Sequence, residues 1–88
     1  MTRPAPKFAQ LCVIVREQIE QLETESGTGR SPATIHALVT AHYSELVERI
    51  KWRLIAVGFG YPASPEQLSG AIEAVEHALE KQRRKGQR

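Results

Sequence analysis

Apolar residues at helical spacing begin at Phe8 and continue for four turns. They are Phe8, Leu11, Cys12, Val15, Ile19 and Leu22. Residues three and four positions apart lie on the same face of a helix, so this spacing predicts an amphipathic helix. Val13 and Ile14 lie off this stripe and leave a short strand over 11–15 as an alternative. Gly27 and Gly29 predict a loop after the helix.

A second and longer apolar stripe predicts a helix over 32–57. Its members are Ile35, Leu38, Val39, His42, Tyr43, Leu46, Val47, Ile50, Leu54 and Val57. Ser31 followed by Pro32 is a typical helix start. Gly58 is expected in the left-handed conformation after the helix, with Phe59 packed over Leu54. Ser44 is also a possible N-cap, so a helix broken near residues 42–43 is the alternative to one continuous rod.

The third predicted helix begins at a capping box formed by Ser64, Pro65 and Gln67. Its apolar stripe is Leu68, Ile72, Val75 and Leu79, and it is expected to end between residues 81 and 85. The pattern predicts an all-α fold, a small three-helix antiparallel bundle built as a helical hairpin plus one helix, with a core that self-association would complete. One domain is expected over 1–88, with an extended arm at 1–7 and a basic tail at 81–88.

Length and composition exclude several classes of protein. An 88-residue chain supplies one domain, and a helical domain of this size is stable only when its helices pack well or chains associate. The longest uncharged run is too short to span a membrane, and no signal peptide is expected. Cys12 is the only cysteine, so no internal disulfide is possible and a cytoplasmic location is expected.

No arrangement of residues predicts catalysis. His36 and His42 are six positions apart, not the four that place two metal ligands on one helix face. His42 is expected to be a hydrogen-bonded histidine in the core or at its edge, and His77 to lie on a solvated helix face. Carboxylate pairs such as Glu73 with Glu76, or Glu76 with Glu80, are expected to line solvent. We therefore expect a non-enzymatic protein with no metal, no cofactor and no small-molecule substrate.

The second predicted helix carries apolar residues on two sides. Trp52 and Ile55 lie well away from its main stripe. Either the other helices cover both sides, or this side contacts a partner. The second interpretation predicts a protein interface of Trp52, Ile55, Arg49, Arg53 and Glu48, since tryptophan and arginine are enriched at interface centres. The expected role is a regulator, inhibitor or accessory subunit that binds another protein or itself as a homodimer.

The basic tail supports an alternative function. Residues 81–88 carry five basic side chains and no acid, whereas residues 1–80 carry seven basic and ten acidic ones. Such a tail attracts phosphates without reading sequence. The alternative is a DNA- or RNA-binding accessory protein that uses the tail and the basic residues of the second helix, Arg49 and Arg53 included. Its further candidate contacts are Lys81, Arg83, Arg84, Lys85, Arg88 and Lys51.

Overall fold

The structure is a computed structural model that describes residues 4–26, 34–60 and 65–86. These ranges contain four helices and no strand: α1 (Phe8–Ser26), α2 (Ile35–Ala41), α3 (Tyr43–Ala56) and α4 (Pro65–Gly86). The all-α prediction is confirmed, and the alternative strand at 11–15 is wrong because those residues lie inside α1. None of the described helices is long and apolar enough to cross a membrane.

The predicted count of three helices is wrong because the second one is broken at His42. This residue has φ −120° and ψ 27° and separates α2 from α3, as the alternative reading near residues 42–43 proposed. Its N–H still donates to the Leu38 carbonyl at 3.1 Å, and its carbonyl accepts from the Leu46 N–H at 2.8 Å. The break therefore interrupts the helical backbone at one residue while keeping hydrogen bonds on both sides of the joint.

The start of α2 also differs from the prediction. The helix begins at Ile35 rather than at Pro32, and Ser31 and Pro32 lie outside the described residues. Thr34 has an extended backbone, and its hydroxyl accepts from the Ala37 N–H at 3.0 Å. The Glu80 carboxylate of α4 accepts from the Ile35 N–H at 2.9 Å. These two side chains satisfy donors that a helix start leaves without an internal partner.

Side-chain contacts show how the helices run relative to one another. Arg49 of α3 bonds to Glu25, near the end of α1, and Arg53 approaches Glu17 further back, so α1 and α3 are antiparallel. Phe8 lies beside Gly70 near the start of α4, and the Arg16 guanidinium donates to the side-chain oxygen Oε1 of Gln82 at 3.0 Å. Helices α1 and α4 are therefore parallel.

Helix α1 contributes to the core along a wide arc because α3 packs on one side of it and α4 on the other. Ile14, off the predicted stripe, is buried, whereas Phe8 on the stripe is about half exposed. Cys12 packs at the core edge, and burial raises the pKa of its thiol. The buried apolar side chains are Leu11, Ile14, Val15, Ile19, Leu22, Ile35, Leu38, Val39, Leu46, Ile50, Leu54, Leu68, Ala71, Ile72, Val75 and Leu79.

The predicted end of α3 is confirmed. Gly58 has φ 93°, its N–H donates to the Ile55 carbonyl at 3.1 Å, and the Phe59 N–H donates to the Leu54 carbonyl at 2.9 Å. Together these bonds form a Schellman motif, and Phe59 packs against the core. The predicted start of α4 at Pro65 is also found, while its cap Ser64 lies outside the described residues.

Both ends of the chain differ in detail from the predicted arm and tail. Within residues 4–7, which are not helical, Pro6 is buried and the Pro4 carbonyl accepts from the Gly60 N–H at 2.9 Å. The described part of the arm is thus docked on the segment after α3. Helix α4 continues to Gly86, so most of the predicted tail is helical backbone.

Candidate protein-binding face

Among the described residues, helix α3 packs against other helices on one side. Leu46, Ile50 and Leu54 are buried, and α3 packs against α1. No Cα atom of α3 lies within 8 Å of a Cα atom of α4 in the described residues. The break at His42 therefore leaves α2 beside α4 and takes α3 away from it, so the neighbouring helices do not cover both apolar sides of the second predicted helix.

The uncovered side of α3 carries the residues that we call the Trp52 face: Ser44, Glu48, Lys51, Trp52 and Ile55. Trp52 is 62% exposed, the most exposed of the large apolar residues in the described ranges, and Ile55 is 37% exposed. The Lys51 ammonium lies 5.9 Å from the centroid of the Trp52 ring, close enough for a cation–π interaction. This face combines an apolar centre with both signs of charge.

An open groove of about 690 Å³ runs beside this face, between α1 and α3. Trp52 and Ala56 line it from α3, and Glu17, Gln18 and Gln21 line it from α1. Gln18 is only 5% exposed, and its side chain has no hydrogen-bond partner in residues 4–26, 34–60 and 65–86. No buried side-chain nitrogen or oxygen atom of the described residues lacks a hydrogen-bond partner, so the Gln18 amide still reaches solvent at the floor of the groove.

Arg49 forms the wall of the groove and is held by two carboxylates. Its guanidinium donates to both oxygens of Glu25, at 2.8 and 2.6 Å, and to Glu45 at 3.0 Å. The hydrogen bond from Arg49 lowers the pKa of Glu25, and these two acids raise the pKa of Arg49. The predicted interface residue Arg49 is therefore engaged within its own chain, where it joins α3 to the end of α1.

The remaining predicted interface residues, Arg53 and Glu48, differ in their surroundings. The Arg53 Nε atom lies 3.9 Å from a Glu17 carboxylate oxygen, and the Arg53 side chain is about half exposed. Glu48 is exposed and has no ion pair with any described residue. Of the predicted set, the structure brings Trp52, Ile55 and Glu48 onto one uncovered face, and it directs Arg49 and Arg53 toward α1.

The candidate nucleic-acid residues are not brought together in the described part of the chain. Lys81 is exposed on α4, and Lys51 lies on α3, which does not approach α4. The side chains of Arg83, Arg84 and Lys85, and all of Arg88, lie outside the described residues. The Arg16–Gln82 bond places residue 82 of α4 beside Arg16 of α1.

Acidic residues of α4 hold α2 in place. His36 Nδ1 lies 3.0 Å from the Glu76 carboxylate, whose side chain is only 15% exposed. Glu80 bonds to the Ile35 N–H, as described above. The expectation that Glu76 and Glu80 line solvent is therefore wrong, because both contact α2.

His77 lies on an exposed helix face as expected, whereas His42 lies at the core edge without the expected side-chain hydrogen bond. His42 occupies the joint, 3.5 Å from Glu45. The described residues contain no group of three side chains arranged to bind a metal ion.

Sequence reasoning missed Gln18, which lies between the buried Val15 and Leu22 on the core side of α1. A polar residue inside an apolar stripe was the available signal. No protein-family model matches the chain, and neither does any curated protein or solved structure compared with it. Function is therefore inferred from the geometry of the Trp52 face and its groove.

Proposed function

We propose that this protein is a non-enzymatic helical interaction module, a small regulator or accessory subunit that binds a protein through the Trp52 face. The observation that carries the proposal is the position of Trp52, which is 62% exposed on a helix that α4 leaves uncovered. Tryptophan residues at the centre of an interface commonly contribute most of its binding energy.

The free energy available at this position is large enough to matter. A tryptophan buries about 150–250 Å² when it is fully covered. With 62% of Trp52 exposed, covering it removes roughly 90–150 Å² from water. At about 25 cal/mol per Å², this contributes about 3 kcal/mol, and Ile55 adds to it. A partner that covers both side chains therefore gains substantial affinity from two contacts.

The surface around Trp52 is also held rigid. Arg49 joins α3 to α1 through two charge-assisted hydrogen bonds to Glu25, and Leu46, Ile50 and Leu54 of α3 are buried in the core. A face that is already ordered loses little conformational entropy on binding. This rigidity supports a binding role for the face over a role as a loosely packed helix end.

Photo-crosslinking from position 52 tests the proposal. A photoreactive phenylalanine analogue replaces Trp52 in one variant and the exposed Ala74 of α4 in a control variant, both expressed in cells that make the protein. We expect a discrete protein adduct from position 52 that disappears in the Ile55→Glu background, and none from position 74. Equal labelling from both positions, or no adduct from position 52, contradicts the proposal.

Nucleic-acid binding is the second candidate function, and one observation favours it. Because α4 is helical to Gly86, the backbone positions 81, 84 and 85 follow one side of a helix. Such an arrangement presents several cations to one phosphate backbone.

Fluorescence anisotropy with short DNA and RNA at several salt concentrations tests this candidate. The triple variant Arg83→Gln, Arg84→Gln, Lys85→Gln removes three positive charges. We expect it to reduce the magnitude of the negative slope of log association constant against log salt concentration by about two to three. The single variant Lys51→Gln serves as the control and is expected to leave the slope unchanged. Absence of binding by the unaltered chain at low salt contradicts this candidate.

A further inference from the structure

We infer that the partner of the Trp52 face is a second copy of this chain, with the two α3 helices antiparallel across a two-fold axis near residues 49 and 50. The inference rests on the proposed function, because it takes the Trp52 face to be a binding surface. It adds the identity of the partner, the orientation of the pair and the residues that meet.

The geometry begins with a straight row of residues on α3. Ser44, Glu48, Lys51 and Ile55 follow one another by four, three and four positions, which places them along one side of a helix. The row extends over about 17 Å at 1.5 Å per residue. Two such rows can lie against each other along their whole length, because no Cα atom of the described α4 approaches α3 within 8 Å.

Charge determines the register of the pair. Glu48 and Lys51 form no ion pair with the described residues of their own chain. In an antiparallel pair with its axis between residues 49 and 50, Glu48 of each copy faces Lys51 of the other, so two ion pairs form. In a parallel pair the same residues would face their own counterparts, and like charges would repel. The row is therefore self-complementary only in the antiparallel orientation.

The same register also determines which side chains Trp52 and Ile55 meet in the other copy. Trp52 falls opposite Val47, which is half-buried and packed against the core, and Ile55 falls opposite the small side chain of Ser44. Both copies contribute a Trp52 and an Ile55, so each of these contacts occurs twice and two tryptophans flank the central ion pairs. The contact is isologous, as expected for a two-fold dimer.

Other charges near the axis do not oppose this pairing. Arg49 and Glu45 are the nearest, and they bond to each other at 3.0 Å on the side of α3 that faces α1. The Arg53 guanidinium is likewise directed toward Glu17. The positive charges next to the row are thus compensated within each copy, which leaves Glu48 and Lys51 as the charges that pair between copies.

A charge-reversal cycle measured by sedimentation equilibrium tests the inference on the full chain. We expect a concentration-dependent dimer whose dissociation constant rises roughly 10- to 100-fold in Glu48→Lys and in Lys51→Glu, because two attractive pairs become repulsive. The double variant Glu48→Lys, Lys51→Glu restores the ion pairs with their signs exchanged, so its dissociation constant returns to within a few-fold of the original. Glu73→Lys, at an exposed position of α4, is the matched control and leaves the dimer unchanged.

Trp52 fluorescence gives a second readout, because it is the only tryptophan in the chain. Its emission shifts to shorter wavelength as the dimer forms, and circular dichroism checks that each variant stays helical. A chain that stays monomeric at its highest soluble concentration overturns the inference, and so does a dimer on which the double variant fails to restore affinity. If position 52 still crosslinks to a different protein, the proposed function stands and only the identity of the partner is wrong.

Discussion

Replacing the buried amide of Gln18 with an apolar side chain of similar size should stabilise the protein. Gln18 is 5% exposed and has no hydrogen-bond partner among the described residues, but none of their buried side-chain polar atoms is left unsatisfied, so its amide keeps some contact with water. A polar group that loses all its hydration without a partner is unfavourable by about 1–3 kcal/mol, and one that loses part of it is unfavourable by less. Because the residual exposure is toward the open groove, the lower value applies, and we expect Gln18→Met to raise the free energy of unfolding by about 1 kcal/mol.

Urea denaturation followed by circular dichroism measures this change. At this chain length, 1 kcal/mol corresponds to an increase in Tm of roughly 4–8 °C, which a thermal melt resolves. Gln21→Met is the matched control, since Gln21 lines the same groove but is exposed, and its effect should stay within about 0.5 kcal/mol. A loss of stability in Gln18→Met would refute the reasoning, because it would show that the amide contributes a favourable hydrogen bond to the folded state.

Three further predictions concern the backbone, a cap and an ion pair. Gly58→Ala should lower stability by about 1 kcal/mol because Gly58 has φ 93°. Gly70→Ala, inside α4 where an added Cβ would lie in ordinary van der Waals contact with the Phe8 ring at 3.8 Å, should raise stability by about 0.5–1 kcal/mol; paired denaturation curves compare the two variants. Thr34→Ala should destabilise by about 1 kcal/mol in the same assay, through loss of the α2 cap. Arg49 lowers the pKa of Glu25 in the folded state. The stability that this pair contributes is therefore present above the ordinary pKa of a glutamate and is lost as the pH falls through the lowered pKa of Glu25. Glu25→Gln should make the free energy of unfolding less dependent on pH in this acidic range.

Local sequence signals predicted the ends of helices best. The Schellman motif after α3 was expected from Gly58 and Phe59, and the start of α4 from Pro65, because each depends on the conformational preference of one or two residues. The predicted start of α2 was wrong because Thr34 caps the helix together with Glu80, a residue 46 positions away from Thr34 that no local signal includes.

The break at His42 and the exposure of Trp52 depend on how helices pack. Residues 32–57 carry an apolar stripe that suits a continuous helix as well as a broken one, so the pattern alone does not distinguish between these two predictions. Trp52 is exposed because it lies on the side of α3 away from the buried Leu46, Ile50 and Leu54, and no described residue of α4 has its Cα within 8 Å of α3. The two-sided pattern of the second helix therefore identified the candidate face, while its exposure became evident only from the arrangement of α1, α3 and α4.

The parallel course of α1 and α4 has a consequence for the order of folding. The bond between Arg16 and Gln82 joins residues 66 positions apart, whereas the contacts of α1 with α3 close shorter loops. Loop-closure entropy favours the shorter loops, so the α1–α3 hairpin is expected to form before α4 docks. During synthesis the side of α1 that receives α4 stays exposed until the helix of residues 65–86 has emerged, and that interval is when a chaperone or a second nascent chain has access to the incomplete core.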